Sequence, residues 1–410
     1  MEARWVSNWQ TVPRLPRSWL IGAFVSCALY AGGVALFTGN PLHRFWGIAG
    51  ACAYLVAAFV AMMWKSRAGV DLALTAIFCG AVLVPLVWMA WHGQSQPEVT
   101  VVARSAKTLI HQGTPYKSPK QLAATTDPNA YNPYLPLMSL FGIPQALAGQ
   151  GALTDPRVWF GIVFVIVMAF ALKVGGAKDY VRWSLLITAS PVIAFELAVG
   201  GTDVPMVGFM CLAFAFLWRS RGEIAAGFAL GIASSMKATA WPALAVAFAL
   251  LYVRDGKRAA WRFTAVALAV MVVCVGPFAV TKPGSLVRNT ILFPLGLASV
   301  KSQAASPLLG HVISDTGHLG HSIVVALLIA SGVGIAISLV VRPPMDVPAA
   351  IIRLVIGLSL MFILAPSTRF GYFIYPLALV LWLIVTMAGR RAAVDQSPAS
   401  PPDVAVVASG

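Results

Sequence analysis

Apolar runs follow one another along nearly the whole chain, and they leave little choice of fold. Twelve can be marked out: 19–37, 46–64, 70–91, 158–171, 183–199, 204–218, 224–236, 238–253, 263–280, 322–341, 349–364 and 370–387. A helix needs about 20 apolar residues to cross the hydrocarbon core of a bilayer. Several runs are shorter, as in helices that tilt, break or line a cavity. Only 10% of the 410 residues are charged, against about 25% in a soluble domain. A soluble globule of this length has no means of hiding so much apolar surface. A cytosolic enzyme, a disordered chain and a secreted disulfide scaffold are thereby excluded. The expected fold is all-α: a polytopic transmembrane helix bundle of about twelve spans, with the lipid bilayer as its solvent.

The first run follows Arg4, Arg14 and Arg17 as the core of a signal peptide would, but it is too long and no clean small-residue cleavage site ends it. It is read as a retained span. The five cysteines all lie in apolar stretches with no metal or redox spacing, so no disulfide is expected.

The net charge of +15 sets the orientation. On a soluble domain it would suggest nucleic acid. In a membrane protein, basic residues collect on the cytoplasmic side, and no nucleic-acid partner is expected. With the N-terminus inside, 18 of the 29 Lys and Arg fall on the cytoplasmic side, including Arg182, the 254–262 cluster, Arg390 and Arg391. The C-terminus is then cytoplasmic too. The stretch 133–147 is apolar enough for a further span, but crossing would carry Arg219, Arg221 and the 254–262 cluster outside. With Pro133, Pro136 and Pro144 it reads as an interfacial or re-entrant helix. Two long loops, 92–132 and 281–321, are placed outside, and loops of that length are commonly functional. Residues 1–391 are expected to form a single transmembrane domain. The Pro-rich segment 392–410 reads as a disordered cytoplasmic tail. The protein is thus expected to be multi-pass, in the plasma membrane.

In so apolar a chain, each ionisable group beside a span asks for an explanation. Glu98 opens the first long loop. After it, Val99, Val102, Ala106, Leu109 and Ile110 recur at helical spacing, with Arg104 and Lys107 on another face. This predicts an amphipathic helix starting near Pro97. Glu98 either supports that helix start through the dipole or is a carboxylate held beside a cavity. Asp203 either caps the helix that begins at Val204 or belongs to the same polar surface. Glu196 lies inside a span and needs a partner or a wet cavity. Lys237 sits at the tip of a hairpin of two half-length apolar runs. It either snorkels to headgroups or binds a phosphate, which Ser234, Ser235 and Thr239 around it favour. Arg369, in the last outer turn, precedes Tyr372 and Tyr375, which suit an aromatic belt or a sugar-stacking surface. All six histidines, His111 among them, fall at the outer side, where loop polarity alone accounts for them. The charge rule puts Glu98, Asp203, Lys237 and Arg369 on one side. Carboxylates with two strong cations are what is needed to activate a hydroxyl and stabilise a phosphate leaving group.

At these residues the chain resembles the integral-membrane glycosyltransferases that use polyprenyl-phosphate sugars (the GT-C fold), and most nearly the family 87 mannosyltransferases. Three places carry the resemblance. A carboxylate follows a span and begins an amphipathic helix that ends in Gly113-Thr114-Pro115-Tyr116. Tyr131-Asn132-Pro133-Tyr134-Leu135-Pro136 is similar to the family's Tyr-Pro-Pro entry into its next apolar element. The stretch from Ala226-Gly227 to Lys237 and Pro242 is similar to the family's AG-x-x-x-G approach to a lysine. The match covers roughly 97–242, and the rest agrees only in hydropathy. Two apolar runs precede the span that leads into the acidic loop, where the family has that span first. The acid at this loop position is most often Asp in the family, and Glu98 stands there in this chain.

The resemblance implies Glu98 as general base and an inverting transfer on the extracytoplasmic face, with mannose as the sugar. The donor is a polyprenyl-phosphate sugar, and the acceptor a cell-envelope glycolipid or glycan. Lys237 and Arg369 are expected on the donor phosphate, with His111 or a histidine of the second long loop assisting. Asp203, Glu196, Tyr134 and Tyr372 are expected on the sugar or acceptor. No Gly-rich phosphate loop appears, in keeping with a lipid donor. No dedicated metal cluster or cofactor motif appears either; a divalent cation is compatible with the sequence but not called for. The competing expectation is a transporter or flippase of a lipid-linked sugar. Such proteins show matched broken helices in two halves, and the chain has one broken hairpin, at Lys237.

Overall fold

The computed structural model describes residues 17–300 and 302–395. Arg4, Arg14 and the expected tail beyond Asp395 lie outside the described residues. The last helix runs to Asp395.

In chain order the main helices are α1 (Arg17–Phe37), α2 (Pro41–Met63), α3 (Ala68–Trp91), α4 (Pro97–Gln112), α5 (Pro156–Gly175), α6 (Tyr180–Thr188), α7 (Pro191–Val199), α8 (Val204–Leu217), α9 (Glu223–Ser234), α10 (Trp241–Arg254), α11 (Lys257–Thr281), α12 (His318–Val341), α13 (Val347–Leu364) and α14 (Ile374–Asp395). Eight are long and apolar enough to cross a membrane: α1, α2, α3, α5, α11, α12, α13, and α14 with the 3-10 turn Phe370–Phe373 leading into it. The pair α6 and α7, bent by 67° at its break, makes a ninth if counted as one span. The chain is a multi-pass helical membrane protein.

The difference from twelve has a physical cause. α8, α9 and α10 have 14, 12 and 14 residues, and 14 residues of helix reach only about 21 Å, short of the ~30 Å hydrocarbon core. Nearly every side chain of α8 is buried. A helix that is apolar all round can be the centre of a protein as well as a span, and hydropathy does not tell the two apart. α11 and α12 are the opposite case, with few side chains buried, as befits helices facing lipid.

The stretch 133–147 is a broken element, a 3-10 helix at Pro136–Gly142 followed by a short α-helix at Ile143–Ala148. It is tied to the tip of the α9–α10 hairpin: Leu135 N–H donates to Met236 O (2.8 Å) and Leu137 N–H to Ser235 O (3.2 Å). Gly142 lets it close on α4, since a Cβ there would stand 2.6 Å from Val102 O. At the other end of the bundle, Arg182 pairs with Asp71 (2.7 Å), Arg262 with Glu223 (3.7 Å), and Arg390 Nε donates to Gly175 O (2.9 Å).

Candidate active site

The amphipathic helix begins as its sequence suggests. Gln96 is extended, Pro97 takes the first helical position, and Glu98 follows in the first turn. The N-terminal dipole favours a carboxylate there. α4 buries Val99, Val101, Val102 and Ala106 and ends at Gly113, whose φ of 66° suits glycine.

Glu98 faces a cavity of about 1340 Å³. Its Oε1 is paired with the Arg369 guanidinium, and its Oε2 is buried without a hydrogen-bond partner. Arg369 comes from an extended turn pinned to the second long loop: Thr368 N–H donates to Ala304 O and Ser306 N–H to Thr368 O, both at 2.9 Å. Burial pushes the Arg369 guanidinium down, but Glu98 and neighbouring groups outweigh it and hold its pKa above the ordinary value. It stays charged.

A second ion pair lies in the same cavity. Lys237 Nζ donates to Asp203 Oδ1 at 2.6 Å, and the Tyr375 hydroxyl donates to the same oxygen at 2.9 Å. Thr239 Oγ1 and the Tyr375 hydroxyl are 2.6 Å apart. The Lys237 ammonium stands 4.7 Å from the Tyr372 ring centre and 5.7 Å from that of Tyr134, within range of cation–π attraction. Burial lowers its pKa, but the Asp203 carboxylate more than compensates, so the net shift is upward. Tyr134 is pushed well above the usual phenol by burial first and then by Glu98, and stays protonated.

Asp203 holds the N-cap position of α8 but makes no side-chain cap bond. Lys237 pairs with Asp203, and little of either side chain is exposed. Glu196 lines the cavity too, packed over Gly371 so closely that a Cβ there would run into its carboxylate. Seven of the eight residues singled out from the sequence, namely Glu98, Lys237, Arg369, Asp203, Glu196, Tyr134 and Tyr372, line this one cavity. The eighth, His111, does not. It is exposed in the last turn of α4, about 20 Å along the helix from Glu98 at the usual rise. Among the described residues, no group of three or more His, Cys, Asp or Glu is placed to hold a metal ion.

No family model and no curated protein matches the chain. Among solved structures, the crystal structure of ArnT from Cupriavidus metallidurans in the apo state is similar at a TM-score of 0.47 and 16% identity. The match covers 78% of this chain and 60% of that one, so the chain spans about three-fifths of its length.

Thr239, noted beside Lys237 in the sequence, lines the cavity. Other residues there were given no site role from sequence: His43 and Gln96 line it, and Tyr375 reaches Asp203 at its edge. His43 sits in the first turn of α2 after Asn40-Pro41, where an outer loop position explains it equally well. Gln96 carries no charge to make it stand out. Tyr375 was visible only as part of an aromatic pair that suits a membrane interface.

Proposed function

We propose that the protein is a membrane glycosyltransferase that moves a sugar from a polyprenyl-phosphate donor to a cell-envelope glycolipid or glycan. One observation carries the proposal. A carboxylate with one free buried oxygen and two cations, drawn from three distant parts of the chain, face a single cavity. The resemblance to polyprenyl-phosphate-dependent glycosyltransferases points the same way.

Glu98 is the general base. Oε1 is engaged by Arg369 and Oε2 is unpartnered but closed off from the cavity, so the carboxylate must turn toward the acceptor hydroxyl to take its proton as it attacks the anomeric carbon. The bond from that carbon to the phosphate oxygen breaks, and its electron pair leaves with the lipid phosphate. Arg369 and Lys237 stabilise the charge that develops there. Each cation already has a carboxylate, so the incoming phosphate competes with Glu98 for Arg369 and with Asp203 for Lys237. Tyr134 and Tyr372 offer ring faces and hydroxyls to the sugar, with Asp203 and Glu196 as acceptors for its hydroxyls. A single displacement inverts the anomeric centre. Mannose is the sugar that the resemblance favours, and the basic residues at the far end of the bundle favour an extracytoplasmic site in the plasma membrane.

The test is transfer of labelled sugar from a synthetic polyprenyl-phosphate mannose by the purified protein in detergent. Transfer that disappears in Glu98→Gln supports the proposal. No transfer by the wild-type protein from mannosyl or pentosyl donors, or equal transfer by the variant, rejects it.

A further inference from the structure

Gln96, which the chemistry above leaves unused, joins three parts of the site. Its backbone N–H donates to Val199 O at the end of α7 (2.8 Å). Its side chain lies on Gly200, where a Cβ would stand 2.7 Å from Gln96 Oε1. Its amide nitrogen donates to His43 Nε2 at 2.7 Å. Glu98 lies two residues beyond Gln96, and Asp203 three residues beyond Gly200. The two carboxylates come from different elements, and this junction connects the backbones that carry them.

His43 is held on every side. Its ring stands edge-on to Phe195, with centroids 4.9 Å apart and an interplanar angle of 85°, and Phe195 packs on Trp46 at 5.0 Å. Accepting from the Gln96 amide requires the neutral ring with its proton on Nδ1. That proton faces Thr38 Oγ1, at 3.4 Å. Both nitrogens are therefore engaged, and His43 lines the cavity with none left for a substrate. Other neighbours could fill the space behind Gln96, but an acceptor at the tip of a fixed ring also orients its amide.

We infer that His43 is a positioning residue: it holds Gln96, and through Gln96 the relative placement of Glu98 and Asp203 that sugar transfer requires. The kinetic test rests on the transferase proposed above; the exchange test does not.

In kinetics, His43→Ala lowers kcat by roughly tenfold or more, the scale expected when a reacting group is misplaced by a fraction of an ångström to an ångström. KM for the donor moves by less than about threefold, since no donor contact is lost. His43→Gln places an amide oxygen near the ring nitrogen it replaces and restores most of kcat. Gly200→Ala, which pushes Gln96 from the other side, gives the same loss led by kcat. The double variant His43→Ala/Gln96→Ala is no worse than Gln96→Ala alone, because one residue acts through the other. A loss carried by KM, additive losses, or failure of His43→Gln to restore kcat each overturns the inference. Hydrogen exchange supplies the independent arm. Peptides covering 94–102 and 197–204 exchange faster in His43→Ala than in the wild type, and unchanged exchange overturns the inference whatever the assay shows. Faster exchange together with no transfer by the wild-type protein rejects the transferase and leaves the positioning role standing.

Discussion

Glu98→Gln keeps the shape of the base and removes its charge. With the proposed chemistry it lowers kcat by about 10²- to 10⁴-fold, the usual contribution of general acid–base catalysis, and steady-state transfer assays read this directly. Near-normal turnover in a well-folded variant would end the assignment. Lys237→Met tests the phosphate site. Loss of a charge-assisted hydrogen bond of about 1.5–3 kcal/mol predicts roughly 10- to 100-fold weaker binding of polyprenyl phosphate, measurable by displacement of a labelled lipid. The pair also carries a pH signature. The Lys237 pKa is raised in the folded protein, so its stabilisation is fully present below the ordinary lysine value of about 10.4 and is lost as pH rises through the folded value. The gap in Tm between wild type and Lys237→Met should therefore be constant near neutrality and shrink toward pH 11. These charged residues were legible in the sequence because charge is scarce. Their pairing was not: Glu98 and Arg369 meet across 271 residues, and nothing local in either segment names the other. His111 is the converse case. It belongs to the same helix as Glu98, yet the rise of that helix carries it away from the cavity.

At the scale of elements, the periodicity of 98–110 located α4 and its buried face, and three prolines located the broken stretch after Pro133. Both signals are local, which is why they could be read. What the sequence left out is how the two meet. Gly142 is the point of contact, with Val102 O at 2.6 Å and Ala103 Cα at 2.9 Å from the place a Cβ would occupy. These are backbone atoms and have no rotamer to yield with. Gly142→Ala is therefore expected to cost about 1–3 kcal/mol, the range for overpacking in a close-packed interior, and to lower the Tm in detergent. Because Glu98 opens α4, the same substitution should reduce transfer more than it reduces donor binding. A variant with wild-type Tm and activity would show that the contact relaxes freely.

At the scale of the molecule, the two ends of the bundle differ in kind. One end gathers Glu98, Asp203, Lys237 and Arg369 around the cavity. The other joins Arg182 to Asp71 and Arg262 to Glu223, and lays Arg390 over Trp218 at 4.7 Å. Residues counted as cytoplasmic by charge meet one another, and residues counted as outer line the cavity, although twelve runs were expected and eight or nine helices long and apolar enough to span are found among the described residues. The count could change without upsetting the sides because α8, α9 and α10 still run from one end to the other as short inner helices. Sidedness then becomes a direct experiment. Gln303, at the rim of the cavity, and Arg258, at the start of α11, are both exposed. Single cysteines at the two positions, probed in intact cells with a membrane-impermeant maleimide, should label at Gln303→Cys and stay silent at Arg258→Cys until the membrane is opened. The five native cysteines lie in apolar segments, where a charged reagent does not partition. The reverse pattern would place the cavity in the cytoplasm and demand a donor loaded on that face. Labelling of both positions in intact cells would mean that the ends of the bundle do not lie on opposite sides of the membrane, and the charge argument for orientation would fall with it.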